Sequence, residues 1–279
     1  MNIVALDIGG TSIKSGLFSN DLLLESFDNQ TFGNKGLEKI KESICIAINH
    51  YLGKREIDCI AISTAGDIDP FKGEVVYASD NLKGFTGFKI KEFIESLYKV
   101  KCFVNNDAVC HLLGIIDDTN KDKNIFMLTL GTGVGAVLYK NKKIYYGEKF
   151  NLGKFAHYVL VENGIQCDCG QKGCAEKELS KNFFLVKSKE YFHEEKSAKE
   201  VFDLFKEGDL NAKKIIDEYF ANFNNYLQYL EKLDLDLIYI SGGIATYTDI
   251  FKMYLKNEKI KYVKENALLG VYGAKKLVK

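Results

Sequence analysis

Arginine is almost absent: Arg55 is the only one in 279 residues. With the bidentate guanidinium fork so scarce, any phosphate group must be held mainly by backbone amides, lysines and a metal ion. An excess of either charge is missing as well, since 38 basic residues balance 38 acidic ones. No overall field would recruit a nucleic-acid backbone or an anionic membrane, which leaves small molecules and other protein chains as the expected partners. No window holds about 18 consecutive apolar residues, and no basic segment precedes the strand-like run that opens at Met1, so the chain reads as cytosolic. Linkers rich in proline or serine, low-complexity tracts and tandem repeats of about 20–50 residues are also missing. Any domain boundary is therefore a hinge inside compact structure. What is present is a 46% hydrophobic composition, enough to bury a full core in one large domain or two modest ones and to exclude disorder.

Short β-rich runs alternate with helical periodicity, the pattern of an α/β protein. Residues 2–8 are almost continuously apolar until Asp7, and residues 13–18 resume extended character after Gly9-Gly10-Thr11, which predicts a hairpin with a glycine turn. Leu37, Ile40, Ile44 and Ile48 recur at helical spacing before a strand at 59–63; Phe93, Ile94 and Leu97 mark a second helix before a strand at 101–104. Further strands are expected at 125–129, 136–139 and 237–241. The longest helix is expected at 212–230, where Ile215, Ile216, Tyr219, Phe220, Phe223, Leu227 and Leu230 trace one apolar face, read as core packing.

Strand, glycine turn, strand occurs twice, at 3–18 and at 125–139. In the first copy Asp7 stands at a strand end ahead of Gly9, Gly10 and Thr11. Two residues without Cβ let backbone amides approach an anion, Asp7 is placed to orient a Mg²⁺-bound water, and Thr11 or Lys14 to reach phosphate oxygens. The second copy, Gly131-Thr132-Gly133-Val134-Gly135, has the same logic. A glycine turn alone also arises from tight packing. Two of them, each between strands, point to a nucleotide held by two related domains. Neither is a Walker A or dinucleotide fingerprint, because a strand follows where those motifs need a helix. Gly242 and Gly243 end another strand just before a helix, an expected contact on the adenosine side.

Asn105-Asn106-Asp107 closes a strand and opens a helix, where ligand crevices form in α/β sheets. Asn and Asp are equally favoured there as helix N-caps. Phosphoryl transfer to a hydroxyl needs a base, a metal to screen charge and accurate positioning. Asp107 supplies that base, and Asn106 can hold a neighbouring hydroxyl. Three of the seven cysteines crowd into 167–174, which suits a metal site in a reducing compartment better than a disulfide framework. With His157 they offer one imidazole and the thiolates of Cys167, Cys169 and Cys174, a set that suits tetrahedral Zn²⁺ in a closed structural site pinning the loop that carries Glu176. Cys45, Cys59, Cys102 and Cys110 lie in apolar runs and read as core. His50, His111 and His193 lack companion ligands and receive no role.

These segments resemble the ROK family (repressor, open reading frame, kinase), which includes bacterial glucokinases, fructokinases and N-acetylmannosamine kinases. The resemblance spans nearly the whole chain, through Leu6-Asp7-Ile8-Gly9-Gly10-Thr11, Asn106-Asp107-Ala108, Gly131-Thr132-Gly133-Val134-Gly135, His157 and Cys167-x-Cys169-Gly170-x-x-Gly173-Cys174-x-Glu176. It implies an α/β, actin-like two-domain fold with a nucleotide cleft between the domains. The smaller N-terminal domain would cover 1–115 and be rejoined by a C-terminal helix at 266–279; the larger would cover 116–265 and carry the zinc loop. It further implies ATP and Mg²⁺ as catalytic cofactors, a structural Zn²⁺, a homodimer, and Asp107 as base. Asn106, His157 and Glu176 would touch sugar hydroxyls, and the segments of Gly66 and Asn81 would line the sugar pocket.

Two positions depart from the family pattern. Lys154 stands where a glutamate is usual, in Gly153-Lys154-Phe155-Ala156-His157, and Asp80 precedes Asn81 in place of a proline. A cation replacing an acceptor carboxylate suggests a sugar other than plain glucose, with an acidic group near Lys154. A non-catalytic sugar-binding regulator is the alternative, although family repressors carry an N-terminal helix-turn-helix and here the first hairpin begins almost at Met1. A phosphotransferase or ATPase with a non-sugar acceptor is a third reading, disfavoured by the cysteine loop.

Overall fold

The apolar run that opens the chain becomes the middle of a sheet. In the computed structural model, which describes residues 1–264 and 266–278, β1 (Asn2–Ile8) pairs antiparallel with β2 (Ser12–Ser19), and β2 with β3 (Leu22–Gln30). Helix α1 (Leu37–Asn49), β4 (Cys59–Thr64), a small hairpin of β5 (Asp67–Asp69) and β6 (Glu74–Tyr77), α2 (Ile90–Tyr98), β7 (Lys101–Asn106) and α3 (Asp107–Ile115) follow. The sheet order is β3-β2-β1-β4-β7, with β1, β4 and β7 parallel. Their register sets Asp7 beside Ser63 and Thr64 beside Asn106, so the carboxyl ends of three parallel strands bring these side chains into one row.

The same plan recurs. Strands β8 (Ile125–Leu130), β9 (Val134–Lys140) and β10 (Lys143–Ile144) are followed by the cysteine loop and helices α4 (Ala175–Glu178), α5 (Lys181–Phe192), α6 (Ala198–Lys206) and α7 (Leu210–Leu230). Then come β11 (Leu237–Ser241), α8 (Thr248–Tyr254), β12 (Ile260–Tyr262) and α9 (Leu269–Lys275). The second sheet runs β10-β9-β8-β11-β12, again with two antiparallel pairings and then two parallel ones. Each sheet therefore carries a glycine turn between its first two strands. The chain forms two compact units, one of Met1–Lys121, Tyr146–Gly153 and Asn266–Lys279, the other of Asp122–Tyr145 and Lys154–Glu265. Residues 265 and 279, at the expected domain ends, lie outside the described residues. No described helix is long and apolar enough to cross a membrane.

Helix α7 starts two residues before its expected first turn because Asp209 caps it, accepting from the Ala212 amide at 2.8 Å. Its apolar face is buried against the second sheet and ringed by Phe183, Phe184 and Phe251. Strand β3 is absent from the sequence expectations, and its burial shows why: an edge strand in which no residue is fully buried lacks the apolar run of a core strand. Its turn did carry a signal, since Asn20 and Asp21 both take positive φ, 47° and 72°, as a type I′ turn requires. Asn141 and Lys142 repeat that turn before β10. Of the cysteines read as core, Cys59, Cys102 and Cys110 are buried, but Cys45 is only half-buried, on the flank of α1.

The return of α9 to the first unit depends on small residues. A Cβ on Gly273 would lie 1.6 Å from the Cys110 carbonyl oxygen of α3, and one on Gly270 would lie 2.4 Å from the Asp7 carboxylate. Backbone meets backbone there, with Val271 and Ala274 fully buried beside it. Gly273→Ala is expected to destabilise the protein by about 2 kcal/mol or more, because the two helices must separate. Denaturant titration checks this; a midpoint shift equivalent to less than about 0.5 kcal/mol would contradict the close approach.

Candidate active site and metal centre

In the first unit, Asp7 ends β1 with its carboxylate enclosed. Ser63 Oγ donates to Asp7 Oδ1 at 2.6 Å, His111 Nε2 lies 3.8 Å from Oδ2, and Gly270 passes behind. Of Asn106 and Asp107, both open to the capping role from sequence, Asn106 takes it. Asn106 is the N-cap of α3: its Oδ1 accepts from the Val109 amide at 3.2 Å while its Nδ2 donates to the Gly66 carbonyl at 2.8 Å. Asp107 is the first helical residue, and its Oδ1 accepts from the adjacent Ala108 amide at 2.8 Å. Burial pushes the Asp107 carboxyl above its usual value and nearby Asp7 adds to this, while His111 pulls the other way. Burial likewise opposes protonation of His111, but the attraction of Asp7 and Asp107 outweighs it and holds the imidazole above its ordinary range.

His111 was assigned no role from sequence, and the structure corrects this, although its spacing of four from Asp107 on one helix was readable. Ser63 and Gly33 were missed as well. Gly33 admits no side chain, since a Cβ would lie 2.1 Å from the Asn81 carbonyl and 2.7 Å from that of Gly10. This close approach brings Asn81 against the first glycine turn. The expectation that successive amides of that turn all face an anion needs amending. The Gly9 amide closes the turn on the Ser12 carbonyl at 3.0 Å, and the Gly131 amide closes its own on Gly133 at 3.0 Å. The donors left in each turn are those of Gly10 and Thr11, and of Thr132 and Gly133. Thr11 and Thr132 are exposed, Lys14 lies on β2 opposite Asp7, and Gly135 lies inside β9 opposite Thr129.

In the second unit, Gly242 adopts φ 96° with its Cα so close to β8 that a Cβ would sit 2.3 Å from the Leu130 carbonyl, which places Gly242 and Gly243 next to the 131–133 turn. A short turn, Gly243–Thr246, precedes α8. Glu176 reaches the same turn: its Oε2 accepts from the Val134 amide at 3.0 Å. Burial raises the Glu176 carboxyl. The Lys181 amide donates to the Gly131 carbonyl at 2.9 Å and Asn182 Nδ2 to that of Thr132 at 3.4 Å; neither residue was anticipated.

His157, Cys167, Cys169 and Cys174 converge, their ligand atoms all within 4.8 Å of one another. Cys169 Sγ is 3.6 Å from Cys174 Sγ, and His157 Nδ1 is 3.6 Å from Cys167 Sγ. Those separations match the edges, about 3.5–3.8 Å, of a tetrahedron built with ordinary Zn–S and Zn–N bonds. Gly173 makes the loop possible, since with φ 72° a Cβ would fall 1.7 Å from the Val161 carbonyl. Burial first, then the charge of Lys154, lowers the His157 pKa and keeps the ring neutral, the form that binds metal. Because Nδ1 faces the thiols, Nε2 is the nitrogen left for any other partner. Lys154 itself is exposed, with φ 55°.

The family model described as "ROK family" matches residues 3–268. An uncharacterized protein of Clostridium perfringens is 30% identical over 268 residues, 94% of this chain and 88% of its own. The N-acetylmannosamine kinase of Yersinia pseudotuberculosis is 27% identical over 249 residues, 87% and 83% of the two chains. Among solved structures, the ROK hexokinase of Thermus thermophilus superposes with a TM-score of 0.82 at 23% identity, covering 98% of this chain and 96% of its own. A ROK family transcriptional regulator reaches 0.81 at 17% identity, over 99% of this chain and 77% of its own. The fold is thus the mixed α/β, actin-like one implied by the sequence motifs, and the chain belongs to the ROK family.

Proposed function

We propose that this protein transfers the γ-phosphoryl group of ATP to a hydroxyl of a hexose or hexose derivative. The observation that carries this reading is the division of labour at the head of α3. Asn106 takes the capping duty, so the Asp107 carboxylate is free to serve as base at the carboxyl end of β7. The acceptor hydroxyl gives its proton to Asp107, its oxygen bonds to the γ-phosphorus, and the bond to the β–γ bridging oxygen breaks, releasing ADP. Gly10, Thr11, Thr132 and Gly133 offer amides, and Lys14 a cation, to phosphate oxygens. Asp7, held by Ser63, would orient water on a Mg²⁺ ion, which when bound screens phosphate charge. Gly66, Asn81, Asn106, His157 and Glu176 would contact the sugar, and Gly242 and Gly243 the adenosine. The relatives named as an N-acetylmannosamine kinase and a hexokinase support the sugar as acceptor class.

The His157 and cysteine cluster would hold Zn²⁺ with no open position, so the ion supplies loop structure and no chemistry. Exposed Lys154 beside the cluster supports an acceptor bearing an anionic group. The same lysine, with the regulator among the similar structures, favours a second reading, a sugar-binding regulator without turnover. ADP release measured over a panel of neutral and acidic sugars separates the two: turnover supports the kinase, and thermal stabilisation without turnover the regulator.

Asp107→Asn should lower kcat at least about 100-fold while leaving ATP binding intact; a fully active variant would remove Asp107 from the chemistry. The pH profile follows from burial. The base must be ionised, and its pKa lies above the ordinary 3.8, so kcat/KM should fall as pH drops through a midpoint higher than that value. His111→Ala, which deletes the opposing charge, should move the midpoint further up, and a shift toward acid would contradict the assignment. Elemental analysis should find about one zinc per chain in the wild type and far less in Cys174→Ser; full zinc content in that variant would exclude Cys174 as a ligand.

A further inference from the structure

The residues from the cysteine cluster through the first turn of α5 form a strap that grips the second glycine turn at three points. Cys174, a cluster member, is the residue before the single-turn helix α4, and its carbonyl accepts from the amides of Lys177 and Glu178 at 2.9 and 3.0 Å. Two residues on, Glu176 holds the Val134 amide. Further along, the Lys181 amide holds the Gly131 carbonyl and Asn182 reaches that of Thr132. The strap is also tied back to the cysteine loop, since buried Glu178 accepts from the Ile165 amide at 2.7 Å and the Ala175 amide donates to the Tyr158 carbonyl at 2.9 Å. Room for the Glu176 carboxylate exists only because residue 133 is glycine, whose Cβ would sit 2.2 Å from Oε1.

We propose that Glu176 is a positioning residue for the nucleotide-side turn, and that through it metal bound at His157, Cys167, Cys169 and Cys174 sets how well the second unit holds the phosphates of a nucleoside di- or triphosphate. The chemistry is local. The carboxylate occupies the Val134 amide with a charge-assisted bond, which fixes the peptide following Gly133 and leaves the Thr132 and Gly133 amides as the free donors. Without metal, Cys174 would keep only a thiol contact to Cys169 at 3.6 Å, backbone bonds, the Lys177–Asp168 ion pair at 2.9 Å and the Glu178 bond to the Ile165 amide, ties weaker than metal–ligand bonds, and α4, one turn long, is too short to keep its place alone. Affinity for phosphate would then fall because the amides must be ordered at the moment of binding. The proposal rests on the reading of this turn as a nucleotide site.

Two measurements on the full chain test it. Amide hydrogen exchange without nucleotide, before and after chelator treatment, should show protection at Val134 falling about tenfold or more, while the amides of the first unit's sheet stay protected and report that the fold survives. Calorimetric titration with ADP, in the absence of sugar, should show binding weakened about tenfold by metal removal or by Glu176→Ala, with no further loss when both are combined. Glu176→Gln, whose amide oxygen still accepts from Val134, should bind within about threefold of wild type. Equal ADP affinity with and without metal, or Gln behaving as badly as Ala, would overturn the coupling while leaving the kinase reading intact. Loss of Val134 protection in a protein that binds no nucleotide at all would instead overturn the kinase reading, and with it the affinity claim.

Discussion

The carboxamide of Asn106 is committed in both directions, its oxygen to the α3 amides and its nitrogen to the Gly66 carbonyl. This one side chain joins the end of β7, the start of α3 and the turn before β5. It also decides what Asp107 can be. A carboxylate used as an N-cap is bonded to amides two or three residues on and is stabilised in its charged form, which makes it a poorer base. At the first helical position the Asp107 carboxylate meets local amides, those of Ala108 and of its own residue, and burial raises its pKa against their effect. Asparagine at 106 thus leaves an aspartate at 107 both positioned and basic, and the reaction proposed for the chain depends on that order of residues.

In the proposed reaction a protein with one arginine would manage phosphate by geometry. Both sheets offer the same means, a glycine turn between an antiparallel pair whose first amide closes the turn on a carbonyl two or three residues on. The repetition extends to the type I′ turns at Asn20-Asp21 and Asn141-Lys142 and to the order of parallel and antiparallel pairings. The two copies differ in their supports. Asp7 is fixed by Ser63 within the first sheet, whereas the second turn is held from outside by Glu176, Lys181 and Asn182. The cysteine loop lies in the second unit, where the turn has the external support.

Most of the buried strands and the long helix were legible in the sequence because continuous apolar runs and 3.6-residue periodicity report burial directly. β3 was not, because an edge strand that alternates exposed and half-buried positions has little apolar excess. The convergence of His157, Cys167, Cys169 and Cys174 was legible because four soft donors at short spacing have few other uses. His111 was not, since a lone histidine acquires meaning only when the fold brings Asp7 of the central strand to it. Gly33 and the contacts of residues 174–182 were hidden for the same reason: they depend on which backbone passes within 3 Å, and nothing local in the sequence encodes that.

Lys154 bears on the acceptor proposed for this chain. It takes a left-handed backbone at φ 55°, as do Phe150 and Leu152 at 56° and 50°, three non-glycine residues in a conformation that costs each about 1 kcal/mol. Such strain persists only where neighbours enforce it, and here the next residues are Phe155, buried in the core, and His157, fixed in the cluster. The Lys154 backbone is therefore set by its neighbours, and its exposed ammonium acts on the imidazole through charge. Its charge lowers the affinity of His157 for a proton, which favours the neutral ring, and it offers an anion a partner that a carboxylate at the same position would repel. Under the proposed function, an acceptor with a carboxylate or phosphate near this point would gain from the exchange and a neutral hexose would lose a hydroxyl acceptor, a choice between substrate classes carried by the sign of one side chain.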